Sequence, residues 1–468
     1  MSEYMTDPTA SEPFIPNSAP EVRDKMLKAI GIAKVDDIYS TIPKAIRLNK
    51  PLRLPKPIKS ESGIRRHVEG ILSANCNTQD NLSFLGAGCW QHYVPAVCDE
   101  IAQRGEFVTA YGGGQFGDHG KWQAVFEFQS LLGELIGMEV VSSPTYDWSA
   151  AASSALLMGC RHTGRDEILV PGSISNDRYL QMHNFVRPVS SITKIKMNQE
   201  TGLIDLQDLK SKISDSTAVV YFENPTFLGS IESGAYEIVD IAKSHGAISV
   251  AGVDPITLGI LAPPSEYGAD IVVGDIQPLG IHMFGGGGLG GFIASGDDPE
   301  IVAEYNALLV SIAPGLREGE FGFDYSTWER LSYEKRGVST DYIGTTQWLW
   351  GIIAGVYLAL MGPVGMKEVG QTIMERSLYA SQSLSSIPGV VSPAFNSSFF
   401  KEFVVDFSKT GKTVADINSS LLDRGIFGGL DLSAQFPFLG QSSMYCVTEV
   451  HTKDDIDLLT ESLKEIVS

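Results

Sequence analysis

The chain has 468 residues and a formal charge of −21, from 35 Lys+Arg against 56 Asp+Glu, with a pI near 4.8. Such acidity opposes binding to nucleic acid or to an anionic membrane surface. Five scattered cysteines without CxxC spacing suit reduced thiols in a cytoplasmic protein. The opening MSEYMTDPTASEPF is acidic and lacks the apolar centre of a signal peptide. The length suits two or three domains.

In chain order, residues 1–70 read as a Pro-rich arm with one helix. Residues 18–32 carry Ser18 as a cap and Pro20 in the first turn, which predicts that helix. Prolines 43, 51, 55 and 57 then forbid regular structure, so residues 42–58 should run extended. From Lys121, KWQAVFEFQSLLGELIGM has the three- and four-residue apolar spacing of an amphipathic helix closed by Gly137. The segment before it, residues 106–120, holds five glycines and carries Tyr111, Gln115, Asp118 and His119. Glycine density between ordered elements marks a turn or a close ligand approach.

A strand at 139–142 leads through Pro144-Thr145-Tyr146-Asp147-Trp148 into a small-residue helix at 150–158. Strand, polar turn and helix N-terminus form the arrangement that receives phosphate, although most such turns are simple caps. Strands at 167–170 and 217–223 alternate with helices at 175–185 and 236–245. In residues 247–295, apolar runs end in Asp254 and Asp275, and Gly285 to Gly288 precede a third run at 291–294. Short apolar runs of this kind predict parallel strands buried on both faces, with ligands bound beyond their carboxyl ends. Residues 326–383 read as mostly helical. Their most apolar stretch, 348–361, falls short of a membrane span of roughly 20 residues and is expected to be a buried helix. Strands at 403–407 and 444–448 around a helix at 413–424, with a last helix at 454–467, predict a smaller C-terminal α+β domain. The expected division is 1–70 arm, 71–330 large α/β domain and 331–468 small domain.

A strand-end Asp followed by a glycine run resembles the large domain of pyridoxal-phosphate (PLP) enzymes, where an Asp pairs with the pyridinium nitrogen and a later Lys forms the Schiff base. Asp254 suits the first role. The chain has no Lys between Lys243 and Lys335 for the second. Asp254 then serves as a retained cofactor contact or as the cap of PITLGIL. His282 and Gly285–Gly286 are further candidates for the cofactor region, against packing or turn roles. Trp148 stands where a backbone would approach phosphate and can fill that space instead.

The segments FLGAGCWQHYVPAV (84–97), GEFVTAY (105–111), FEFQSLLGELIGMEV (126–140), ENPTFLG (223–229), SHGAISVAGVDPITLGIL (244–261), YGADIVVGDIQPLG (267–280) and VTEVHTKDDIDLL (447–459) span nearly the whole chain. In these the chain resembles subunit 1 of glycine dehydrogenase (decarboxylating), the alpha subunit of the glycine cleavage system P-protein. The resemblance implies an aspartate aminotransferase fold type I large domain. It also implies PLP held by a Lys-bearing beta-type partner and aminomethyl transfer to the lipoyl group of the H-protein. Site residues implied are Tyr111, Gln115 and His119 for catalysis, and Thr145, Tyr146, Asp147, Asp254, His282, Gly285 and Gly286 around the cofactor, with no metal. Segments 112–120, 144–148 and 337–347 depart from the family pattern. They leave open a diverged paralogue with its own partner, or a non-catalytic scaffold.

Overall fold

The computed structural model describes residues 17–48, 50, 52–108, 119–307, 309–326, 330–331, 343 and 347–468. The chain divides into two units, Met1–Cys76 and Asn77–Ser468. The first contains α1 (Pro20–Ala29) and α2 (Glu61–Leu72), neither of which has a buried residue. Pro20 opens α1 as expected, but the cap is Ala19 rather than Ser18. Helix α2 has a true cap, Ser60 accepting from Gly63 N–H, and begins within residues 1–70, the stretch expected to be an arm with one helix.

The second unit begins with β1 (Leu82–Ser83), α3 (Ala96–Ala102), α4 (Gly105–Val108), α5 (His119–Ile136) and β2 (Val140–Val141). An alternating run follows: α6 (Trp148–Thr163), β3 (Glu167–Pro171), α7 (Asn176–Val186), β4 (Ser191–Ile195), α8 (Leu206–Lys212) and β5 (Thr217–Asn224). Then come α9 (Ala235–Ser244), β6 (Ile248–Val253), β7 (Ile271–Asp275), β8 (Gly291–Ser295) and α10 (Pro299–Val302). A hairpin of β9 (Val310–Pro314) and β10 (Phe321–Tyr325) precedes the long α11 (Trp348–Ser385). The chain closes with β11 (Glu402–Asp406), α12 (Val414–Leu422), β12 (Ile426–Phe427), β13 (Leu430–Asp431), β14 (Ser442–Cys446) and α13 (Lys453–Val467).

Seven strands form the central sheet in the order β2-β8-β7-β6-β5-β3-β4. Strands β3 to β7 pair in parallel. Strand β8, expected to be parallel, runs antiparallel to β7, and β2 runs antiparallel to β8. The cause is the connection. Only one short 3₁₀ turn, Phe284–Gly286, lies between Asp275 and Gly291, whereas a parallel return is usually carried by a helix crossing the sheet face. The reversal brings Gly291 opposite Asp275, at the carboxyl edge of the parallel strands.

Alternate residues of β5 feed the two faces of the sheet. Val220 and Phe222 join a core with Leu132 of α5, Ile238 of α9 and Ile353 of α11. Val219 and Tyr221 join a second core with Ala151 of α6 and Met182 of α7. Helix α11 is apolar enough by length and composition to cross a membrane. Gly362 at φ +56°, ψ −176° breaks it before Pro363, and residues 351–355, Tyr357 and Leu358 are buried in the body. The C-terminal β11-β14-β13 sheet is antiparallel, with α12 and α13 in the core it covers.

Candidate active site

The carboxyl ends of β5, β6 and β7 present Glu223, Asp254 and Asp275, all buried. Asp254 Oδ1 accepts from Ile256 N–H at 3.1 Å and so caps the turn that follows β6. Its Oδ2 lies 2.6 Å from Lys401 Nζ, and both side chains are almost wholly shielded, at 4% and 2% exposure. Lys401 enters from just ahead of β11, on a backbone at φ +45°. Its ammonium sits 3.5 Å from the centroid of the Trp90 ring and 3.3 Å from His92 Nε2. An ammonium only donates, so Nε2 of His92 accepts and the ring proton lies on Nδ1, facing Glu449 Oε2 at 2.8 Å. Asp254, Lys401, His92 and Glu449 therefore form one buried polar row.

Burial alone would raise the Glu449 carboxyl. The His92 ring and the Tyr93 N–H at 2.8 Å outweigh it and hold the group down at about 2. Burial pushes Asp275 up to about 7, against the N–H bonds it receives from Gln277, Trp148 and Gly290.

Beside the row stands a second network. Trp148 donates its indole N–H to the Tyr221 hydroxyl at 3.1 Å, and the Arg178 guanidinium lies 4.0 Å over the indole. Tyr221 and Arg178 both donate to Glu223 Oε1, at 2.8 and 2.5 Å. Gly252 permits this arrangement, since a Cβ there would meet the Tyr221 hydroxyl at 2.7 Å and the indole at 2.9 Å. The space between the two networks is lined by Trp90, Trp148, Arg178, Asp254 and Lys401 and has a volume of about 20 Å³. That admits roughly one water. A cleft of about 550 Å³ at the β2 edge, lined by Phe126, Gln129, Glu134, Val141 and Arg330, gathers none of the strand-end side chains. Size does not mark the site here.

The residues expected around a cofactor fall in three places. Asp147 caps α6 through Ala150 N–H at 2.6 Å, Thr145 bonds the Asp147 carbonyl and bridges to Gly291, and Tyr146 is half exposed. The α6 N-terminus is thus served by two carboxylates, Asp147 and, through the Trp148 N–H, Asp275. Asp254 lies in the buried row. His282 is half exposed and paired with Asp99 at 2.9 Å, beside Phe284, while Gly285 and Gly286 take positive φ with open space around them. Tyr111, Gln115 and Asp118 lie outside the described residues, as does the side chain of His119, the first residue of α5. Sequence reasoning missed Lys401 as a site residue. The available signal was a Lys-Glu pair inside the apolar run SSFFKEFVVDF. Among the described residues, no group of three or more His, Cys, Asp or Glu side chains could hold a metal.

Comparison of structures sets the class of protein. A NifS-like protein superposes with a TM-score of 0.62 at 12% identity, over 83% of this chain and 99% of its own. The sphingosine-1-phosphate lyase of Burkholderia pseudomallei gives 0.64 at 14%, over 91% and 94%. The fold is that of the fold type I PLP-dependent transferases. The crystal structure of an inhibitor-bound glycine decarboxylase (P-protein) of the glycine cleavage system matches with a TM-score of 0.86 and 29% identity, over 98% of this chain and 100% of that one. A sequence profile of the glycine cleavage system P-protein matches residues 12–463. The probable glycine dehydrogenase (decarboxylating) subunit 1 of Staphylothermus marinus is 40% identical over 98% of this chain and 99% of its own, and that of Aeropyrum pernix 35% over 97% and 99%. The chain belongs to the glycine cleavage system P-protein family.

The described residues at these strand ends do not fit a pyridoxal phosphate. The carboxylate that would meet a pyridinium already faces Lys401, and the adjoining space admits one water rather than a substituted pyridine ring. At the α6 N-terminus, the carboxyl groups of Asp275 and Asp147 already take the N–H groups of Trp148 and Ala150, and the negative charge of Asp147 opposes a phosphate.

Proposed function

We propose that this chain is the alpha-type subunit of a heteromeric, PLP-dependent glycine decarboxylase and holds no cofactor of its own. In this reading a Lys-bearing homologue supplies the PLP site. The joint assembly releases CO2 from glycine and passes the aminomethyl group to the lipoyl arm of the H-protein. The observation that carries the reading is the Lys401–Asp254 pair, buried at the strand ends of a cofactor fold in a chain whose relatives are named subunit 1. The sequence supports it independently, with no Lys between Lys243 and Lys335 to form a Schiff base. The loop bearing Tyr111, Gln115 and His119 would supply polar groups to the partner's site, and the whole would work in the cytoplasm.

The test is reconstitution. The purified chain should show no PLP absorbance and no borohydride-trapped adduct. Glycine-dependent exchange of labelled CO2 should need this chain, a Lys-bearing subunit 2 and lipoylated H-protein together. An internal aldimine on this chain, or full exchange by subunit 2 without it, overturns the reading.

A further inference from the structure

Burying a lysine is costly unless its charge is matched on every side. Lys401 is matched on three: the Asp254 carboxylate, the face of Trp90 and the lone pair of His92. An aliphatic residue would fill the same volume without that cost. Lys401 also holds φ +45°, a conformation disfavoured for any residue with a Cβ. Two costs at one position call for a reason beyond packing. The surroundings supply one, since a strand-end carboxylate below an aromatic face is the setting in which a cofactor's pyridinium would be read as a cation.

We propose that the Lys401 ammonium is a built-in substitute for the pyridinium cation, so that this pocket is selective for a monocation and Lys401 is the residue that closes it. The inference rests on the reading that the chain keeps a cofactor fold without its cofactor. It concerns the isolated chain and involves no turnover, so it can fail while the assembly reading stands, and the reverse. The pocket opened by removing the side chain binds n-butylammonium, which replaces the lost side chain atom for atom, or pyridine as its protonated form. It rejects their neutral counterparts, 1-butanol and benzene.

The experiment uses full-length Lys401→Gly, in which glycine accepts the positive φ. Its Tm should lie about 5–10 °C below wild type, as expected when one partner of a buried pair is removed. Butylammonium and pyridine should raise that Tm with the logarithm of their concentration. Butanol and benzene should not, and wild type should not respond to either cation. Adding Asp254→Asn to Lys401→Gly should abolish the cation response. An equal rise with the neutral compounds, or none with any compound, overturns the proposal. Should Lys401→Gly fail to fold, Lys401→Met fills the space and leaves Asp254 unmatched. Its Tm should fall, and Lys401→Met/Asp254→Asn should recover at least half of the loss. Full stability of Lys401→Met, or no recovery in the double variant, equally overturns it.

Discussion

Glu449 closes the outer end of the buried row, and its titration decides how the row responds to acid. Its ordinary value of 4.5 falls to about 2 in the folded chain. A depressed carboxyl stabilises the fold fully above its unfolded value and loses that contribution as pH falls through the folded one. The window here is about pH 4.5 down to about 2. Glu449→Gln should cost about 1.5–3 kcal/mol at pH 7, the usual worth of hydrogen bonds to a charged group. The difference from wild type should shrink to a small remainder near pH 2, as read from urea midpoints across pH. A constant deficit would mean that Glu449 acts by shape alone. In the reconstituted complex, Tyr111→Phe and His119→Ala should each reduce glycine decarboxylation by about 10²–10⁴-fold, the usual span for a proton-transfer or positioned group. Assembly and Tm should be unchanged, and unchanged turnover in both variants would restrict the loop to a scaffold role. Asp254 was legible as a cap because its partner is two residues away. Lys401 was not, because its partners lie far off in sequence on Trp90, His92 and Asp254, and only its apolar neighbours hinted at burial.

Elements with a strong period were readable, and those made by tertiary context were not. The apolar runs of β5, β6 and β7 are buried along their whole length, and so their sequences show them plainly. Strand β4 escaped notice because it is an edge strand with the polar pattern Ser191-Ile-Thr-Lys-Ile, largely exposed. Helix α2 was hidden by the prolines before it. The direction of β8 was misread since an apolar run carries no sign of its own, and the connection decides it. Turn 144–148 was legible as a helix start, but not the two carboxylates that serve it, one of which arrives from the end of β7. The close fit of α6 to the sheet makes β6 sensitive at one position. Gly252→Ala places a Cβ against the Tyr221 hydroxyl and the Trp148 indole, both held in the Glu223 network. Overpacking of this kind costs about 1–3 kcal/mol. Denaturant midpoints should show that loss, with indole fluorescence altered as Trp148 shifts. A neutral substitution would mean that the network yields easily.

At the scale of the whole molecule, the two units differ in kind. Among the described residues, every buried apolar side chain, from Phe84 onward, belongs to residues 77–468. Residues 17–76 have no buried side chain in either helix, and 16 large hydrophobic residues, Val22 to Leu72, are exposed. Charge divides the same way. Residues 1–76 carry 12 Lys+Arg against 9 Asp+Glu, and residues 77–468 carry 23 against 47, so the acidity of the chain belongs to the second unit. Burial of apolar area is the main favourable term in folding, and a segment that buries almost none cannot stand as a domain alone. The second unit contains both faces of its sheet, the α11 core and the C-terminal core, which is sufficient for independent folding. A chain beginning at Asn77 should therefore be soluble, show the same proportion of helix and strand by circular dichroism for its length, and unfold cooperatively. Trypsin acting on the full chain should cut first among the 12 basic residues of the first unit and leave a resistant fragment starting near Asn77. Early cuts between β5 and β8, or a shortened chain that fails to unfold cooperatively, would show that the first 76 residues are needed to form the core.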